Sequence, residues 1–464
     1  MRRRFVLTVG FLVICSSFAL VQETAAPGSS SQQTTPPATS AQPTGAPAAT
    51  NAQCIDCHSK NNPHVVSEWK QSKHSQVNVG CTDCHGADHG SASDVAKVKI
   101  ARPEICAHCH QSQVDQYRRG KHSFALVVMK TMPNGHWRGM EATLGEQGCA
   151  GCHHVGAPHV TNEVTFERFG GIEGEALKWG AGACSSCHSR HTFSLEEARQ
   201  PQTCQHCHSG LDSGQWEMYS DSRHGILSGL KQLRVLPADA AAPTCQTCHM
   251  PGGDHEVRTA WGYRGLKLPP PTDPQWAADQ ADILQALNVY DEKGKETLLL
   301  EGMKAYDVMR FEQADWQRER DKMVKICAQC HSETYSKQQL QLGDDMVRDS
   351  DHLLAQAIRI VAGLYKDGFV QSPPLRKFPW LTRFDTPPTV IEQKLETIYF
   401  DRMPAFHGVF HNSPKYAINQ GVAKMERDLV QIKALEAELR RNPPVATTPP
   451  AKPATPQKAK PKAR

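Results

Sequence analysis

Apolar positions recur at three- and four-residue steps through the C-terminal part of the chain. Val422, Met425, Leu429, Ile432 and Leu435 form one such stripe, flanked by charges, and predict a helix over Ala417 to Arg441. Periodic segments at Ala277 to Leu287, Gln313 to Lys325, Val347 to Tyr365 and Val390 to Phe400 predict four more helices. The run Pro269-Pro270-Pro271 breaks the chain just ahead of them. Upstream of it the pattern fits short helices joined by long loops, and sheet signals are weak throughout. A mainly α protein with little sheet follows, loop-rich in its first half and helical in its second.

The ends of the chain read differently. Arg2, Arg3 and Arg4 precede an apolar run from Phe5 to Val21, the pattern of a signal peptide, and that run is also long enough to stay as an N-terminal membrane anchor. Cys15 falls mid-run and reads as an ordinary residue of that segment. Residues 22–52 are rich in Pro, Ala, Ser, Thr and Gln, and residues 443–464 in Pro, Ala and Lys. Neither buries enough apolar surface to order itself, so both read as disordered. The organisation expected is a signal segment over 1–21, a linker over 22–52, a first domain over 53–265, a helical domain over 266–442 and a basic tail over 443–464.

Composition complicates this picture. Hydrophobic residues make up 39% of the chain, aromatics only 7%, and Gly and Pro together number 64. That is a poor basis for a large side-chain core. Something other than side chains must fill the interior, and the cysteines say what it is. Sixteen of the seventeen stand in eight copies of Cys-x-x-Cys-His. The copies place paired thiols at Cys54 and Cys57, Cys81 and Cys84, Cys106 and Cys109, and Cys149 and Cys152. The remaining four are Cys184 and Cys187, Cys204 and Cys207, Cys245 and Cys248, and Cys327 and Cys330. The adjoining imidazoles are His58, His85, His110, His153, His188, His208, His249 and His331. A single Cys-x-x-Cys could be half of a zinc site or a redox dithiol. Zinc does not require His at the fifth position every time, and a disulfide framework does not require two-residue spacing every time. The pattern is the attachment signature of c-type haem, with two thioethers to the porphyrin and the His as proximal iron ligand. Eight covalently bound haems c are therefore expected, seven in the first domain and one in the second. Each porphyrin is a large apolar plate around which the polypeptide wraps.

Haem is attached to thiols on the far side of the bacterial inner membrane, so the motifs and the signal segment agree on a periplasmic location. The formal charge of +4 resides in the ends. Arg2 to Arg4 carry +3 and the tail +5, leaving the body between them at −4. No basic stripe with interleaved aromatics is present, so nothing supports nucleic-acid binding.

Fifteen histidines remain besides the eight that end the motifs, more than the eight distal ligands that eight haems could need. A haem that only passes electrons has both axial positions filled, whereas a catalytic one keeps a position open. The census permits seven of the first kind and one of the second, and equally permits eight wires. One internal echo narrows the choice. Trp69, Tyr117 and Tyr219 each stand five residues before a His with a base ahead of it, in Ser72-Lys73-His74, Gly120-Lys121-His122 and Ser222-Arg223-His224. These read as helical ends presenting a distal imidazole.

Several stretches resemble the hydroxylamine oxidoreductase family of octahaem cytochromes, including its reductive relatives. They are Glu68-Trp69 with Ser72-Lys73-His74, the run from Cys184 to Ser194 that contains Ser189-Arg190-His191, and Ser222-Arg223-His224-Gly225. To these add Thr244 to Met250 with Asp254-His255, and the late motif at Cys327 ahead of long helices. The resemblance spans residues 53 to 440. It implies that His74, His122, His191 and His224 are distal ligands. It also implies that the haem on Cys149, Cys152 and His153 is catalytic, with an Asp and a His in its pocket, for which Asp254 and His255 are the candidates and His224 the rival. In oxidative members a neighbouring subunit's tyrosine is joined to the catalytic porphyrin, which requires a homotrimer. Tyr416 resembles that position, although Ala417-Ile418-Asn419-Gln420 departs from the expected surroundings. Leu211-Asp212-Ser213 likewise stands where relatives often carry a ligand His. The activity implied is oxidation of hydroxylamine, with electrons passed along the haems to a redox partner, a cytochrome or a quinone-linked protein. The reductive alternative acts on nitrite or hydroxylamine, and a pure electron-transfer protein is the alternative from another class.

Overall fold

The computed structural model describes residues 48–125, 184–210, 214–258, 269–298, 300, 304, 312–371 and 388–442. Among the described residues every regular element is a helix. Extended pairing is confined to an isolated bridge between Tyr290 and Glu296.

The first half is built from short helices separated by turns: α1 (Asn51–Asn61), α2 (Pro63–Gln71), α3 (Cys81–His85), α4 (Pro103–Arg119), α5 (Gln215–Asp221), α6 (Arg223–Gln232) and α7 (Cys245–His249). Buried apolar side chains are sparse there, with Val66, Val114, Met218 and Tyr219 the ones among the described residues before residue 266. A polypeptide with so few buried side chains does not hold a core by itself. This is the expected signature of a chain wrapped around large prosthetic groups.

The second half has a side-chain core, contrary to what composition alone suggests. Helices α8 (Pro274–Ala286), α9 (Gln313–Cys327), α10 (Glu333–Lys366), α11 (Val390–Phe410) and α12 (Ala423–Arg441) carry it. Ile283, Leu284, Leu354, Ile358, Val361, Leu364, Leu395, Ile398, Met425, Leu429 and Ile432 pack into one cluster drawn from four of them. Several elements run longer than their periodicity predicts. Helix α10 begins at Glu333 because Ser332 caps it, its side chain accepting from the Tyr335 N–H. Helix α11 passes through Pro404 and continues to Phe410, since tertiary burial of Ala405, Phe406 and Gly408 outweighs the lost backbone bond. The segment from Ala417 to Val422 is π-helical before α12 starts at Ala423.

Several charged groups between these helices are paired. Asp351, fully buried, accepts from Trp276 Nε1 at 2.8 Å and from Arg402 Nε at 2.5 Å. Arg359 bridges Asp279 and Asp282, each at 2.6 Å, and Arg320 pairs with Asp344 at 2.6 Å. A buried pair adds little net stability, but breaking one leaves a bare charge, so these contacts fix the register of α8, α10 and α11. Gly343 permits the close crossing of α10 and α11, because a Cβ there would lie 1.8 Å from the ring of Phe410.

Candidate functional site

Residues i, i+3 and i+4 of a helical turn share a face. A motif folded as one turn therefore presents both thiols and the imidazole on the same side. The motifs at Cys81 and Cys245 are such turns in their entirety, α3 and α7. Those at Cys54 and Cys106 lie within α1 and α4, and Cys327 ends α9. The motif of Cys149, Cys152 and His153 falls outside the described residues.

Each of the seven described motif histidines faces one histidine from outside the motifs. His58 faces His89 with ring centroids 6.3 Å apart, His85 faces His191 at 6.3 Å, and His110 faces His74 at 6.1 Å. His188 faces His255 at 6.3 Å, His208 faces His122 at 6.1 Å, His249 faces His411 at 6.4 Å, and His331 faces His224 at 6.1 Å. A metal–imidazole bond of about 2.0 Å and a ring radius of about 1.15 Å put two imidazoles trans to one metal about 6.3 Å apart, centroid to centroid. The seven separations fit an iron between each pair, and the paired thiols beside every motif histidine fit the porphyrin's attachment.

Hydrogen bonds at the far ring nitrogens aim several of these imidazoles. The Nδ1 of His85 bonds the Lys99 carbonyl at 3.0 Å, that of His249 the Arg258 carbonyl at 2.7 Å, and that of His411 the His407 carbonyl at 2.7 Å. A carbonyl can only accept, so the proton sits on Nδ1 and Nε2 keeps its lone pair for a metal. His89 Nδ1 bonds the Asp94 carboxylate at 2.9 Å. Burial and neighbouring imidazoles hold His122 down at about 4; burial, then the neighbouring His249, do the same for His411. Burial also lowers His74, His188, His191, His208 and His224. All are thus neutral near pH 7, the form that ligates.

The recurring aromatic-to-histidine spacing has a mechanical origin. Trp69 Nε1 donates to the Val79 carbonyl at 3.0 Å and Tyr219 hydroxyl to the Pro243 carbonyl at 2.9 Å, so each aromatic anchors the end of its helix. Ser72 and Ser222 then cap the next helix, their hydroxyl oxygens accepting from the N–H groups of Ser75 and Gly225. His74 and His224 fall in the first turn beyond the cap. In the third copy Gly120 replaces the serine, because a Cβ there would lie 2.4 Å from the Glu256 carbonyl oxygen.

Thiols of successive described motifs lie beside one another. Cys54 is within hydrogen-bond reach of Cys81, Cys106 of Cys184, and Cys204 of Cys245. Cys84 neighbours Cys106 and Cys109, Cys187 neighbours Cys204, and Cys248 neighbours Cys327 and Cys330. The attachment points of the seven described motifs thus form a row in chain order.

The residues expected in the catalytic pocket have other partners among the described residues. His255 stands opposite His188, its ring 20° from parallel, at the same separation as the other six pairs. Asp254 does not support its imidazole. The carboxylate accepts from the Glu256 N–H at 3.0 Å and pairs with Arg258 at 3.2 Å, while the buried Nδ1 of His255 has no hydrogen-bond partner. The expected proton-handling pair of Asp254 and His255 is therefore not assembled. His224, the rival, faces His331. Tyr416 is half-buried, and burial followed by the nearby Glu217 and Asp221 carboxylates raises its phenol. Sequence reading singled out four of the seven partners; His89 and His411 escaped it, and His255 was given another role. His89 stands four residues after His85 yet faces His58, and His411 lies far along the chain from His249, so no local spacing marks either.

Two families match parts of the chain. One, described as seven times multi-haem cytochrome CxxCH, matches residues 173–261 and 306–374. The other, cytochrome c554 and c-prime, matches residues 17–86 and 105–189. A probable nitrite reductase-hydroxylamine oxidoreductase fusion protein of Kuenenia stuttgartiensis is 25% identical over 385 residues, 71% of this chain and 39% of that protein. This chain thus spans well under half the length of that relative. The chain is a multihaem c-type cytochrome, similar to hydroxylamine oxidoreductase-like proteins. Solved structures share the cytochrome's fold. One is a reducing HAO-like protein complex of Kuenenia stuttgartiensis, with TM-score 0.62, 21% identity and 84% of this chain and 85% of that chain covered. A hypothetical multiheme protein follows with TM-score 0.60, 21% identity and 84% and 96% covered. The mainly α multihaem fold and covalent haem c at the Cys-x-x-Cys-His motifs follow from these matches and from the donor sets above.

Proposed function

We propose that this cytochrome is a periplasmic octahaem oxidoreductase of small nitrogen compounds. In this reading seven haems are each held between two imidazoles, and an eighth, on Cys149, Cys152 and His153, meets the substrate. The observation that carries it is the one-to-one pairing of the seven described motif histidines with seven others. Two imidazoles on an iron exclude other ligands and keep reorganisation small, which suits electron transfer. An open iron must then lie outside those seven sites, and His153 belongs to the remaining motif. The haem supplies the redox chemistry; the protein's own residues ligate, position and set the row of adjoining attachment points along which electrons pass. Asp254 and His255 drop out of the proton-handling role, the latter becoming the distal ligand opposite His188.

The first reading of the reaction is hydroxylamine oxidation, its product set by how many electrons leave. Reduction of nitrite or hydroxylamine at the same site is the second reading, favoured by the solved neighbour that is described as reducing. That neighbour is a complex, which supports a protein redox partner here. Counting high-spin ferric haems and bound cyanide in the holoprotein tests the assignment. One of each per chain is expected, and none would make the protein a relay only. Under the oxidative reading Tyr416 joins a neighbouring chain's porphyrin within a trimer, so the denatured holoprotein has the mass of more than one chain and Tyr416→Phe returns it to one. A single-chain mass before substitution assigns the reductive reading.

A further inference from the structure

The seven imidazole pairs are alike in spacing but differ in what holds their outer nitrogens. Four described Nδ1 atoms bond neutral acceptors: His85 the Lys99 carbonyl, His249 the Arg258 carbonyl, His411 the His407 carbonyl, and His208 the Gln215 amide oxygen at 3.4 Å. The buried Nδ1 of His255 has no hydrogen-bond partner. His191 lies 3.9 Å from Glu68, beyond hydrogen-bond reach, and Glu68 accepts instead from the His191 backbone N–H at 3.2 Å. Among the described residues of these pairs, His89 alone donates to a carboxylate, Asp94 Oδ1, at 2.9 Å.

That carboxylate is built in rather than accidental. Asp94 accepts from the backbone N–H groups of Gly90 at 3.2 Å and Ser91 at 2.9 Å, which close a tight turn directly after His89. Its side chain is 23% exposed, so the carboxylate is partly withdrawn from water, where its field on the imidazole is less screened. Lys97 stands 3.9 Å away, too far to neutralise it by a hydrogen bond.

An imidazole that donates to an anion is a stronger electron donor through its other nitrogen, and outer hydrogen bonding of this kind sets haem potentials. We propose that Asp94, acting through His89, lowers the reduction potential of the haem held between His58 and His89, making it the most readily oxidised of the seven imidazole-paired haems. This rests on the pairing put forward above. Asp94 is a positioning residue in this scheme, since it touches the ligand and not the iron.

The test is a potentiometric titration of the holoprotein followed by the low-spin ferric signals, for unaltered protein, Asp94→Asn, Asp94→Glu and His89→Met. Methionine ligation raises a haem's potential, so His89→Met shows which component belongs to the first motif. Asp94→Asn is expected to shift that same component upward, by about tenfold in its reduction equilibrium or 59 mV for one electron. The other six components stay in place, and Asp94→Glu keeps the component near its original value. An unmoved first component, or a shift spread over several, overturns the proposal. Fewer than seven low-spin haems in unaltered protein overturns instead the pairing on which it stands.

Discussion

Replacing His411 by Ala is the sharpest probe of the imidazole pairs, because nothing near His411 in sequence marks it as a ligand. The ring stands 6.4 Å from that of His249, and its Nδ1 donates to the His407 carbonyl at 2.7 Å. Removing it takes the second imidazole from the haem on Cys245, Cys248 and His249 and leaves a five-coordinate, high-spin iron. The high-spin count then rises from one to two per chain, and cyanide stoichiometry rises with it. The His407 carbonyl keeps the His411 backbone N–H at 2.9 Å, so the change does not strand it. Burial and nearby imidazoles already keep His411 neutral, its pKa at about 4, so the effect is independent of pH between 6 and 8. His352→Ala is the control. His352 faces none of the seven described motif histidines and its Nδ1 bonds Asp279 at 2.9 Å, so its loss leaves spin state and cyanide binding unchanged. A single high-spin haem in His411→Ala, or a second one in His352→Ala, refutes the assignment of ligands by ring separation.

Two further outcomes test the helical half. Gly343→Leu forces atoms into the ring of Phe410, which lies 1.8 Å from the position of a Cβ, and should destabilise the holoprotein by about 1–3 kcal/mol in thermal unfolding. Pairing it with Phe410→Ala should restore part of the loss, and no recovery would mean that the crossing of α10 and α11 is not what the glycine serves. Asp401, 8% exposed with one carboxylate oxygen lacking a hydrogen-bond partner, has its pKa raised by burial to about 6. Its folded pKa lies above the ordinary 3.8, so the folded state binds the proton more tightly and stability falls as pH rises from about 4 through 6. Asp401→Asn should therefore gain about 1–2 kcal/mol at pH 7 to 8 and nothing below pH 4, after allowing for the lost attraction to Lys424, Arg427 and Lys394. A variant less stable than the parent at pH 8 would show those cations to outweigh desolvation.

What could be read from the chain follows the range of the interactions involved. A Cys-x-x-Cys-His copy is five residues long and folds as a single turn, so attachment was visible without any fold. His74 and His224 were equally visible, because an aromatic anchor, a serine cap and the ligand lie within six residues and are joined by local hydrogen bonds. The amphipathic stripe of α12 announced its buried face through Met425, Leu429 and Ile432.

Long-range placement was not readable in this way. Asp254 and His255 are adjacent in sequence, yet Arg258 takes the carboxylate and His188 faces the imidazole, which separates the pair chemically. Helix α11 runs beyond Pro404 only because its far end is buried against neighbouring helices, a gain that local propensity does not contain. The sequence by itself determined the number and chemistry of the attachment motifs, the helical class and the local placement of His74 and His224. Only the tertiary structure decided which distant imidazole stands opposite which motif, because a metal couples residues by their separation in space, and a separation of about 6.3 Å between rings leaves no periodicity along a chain.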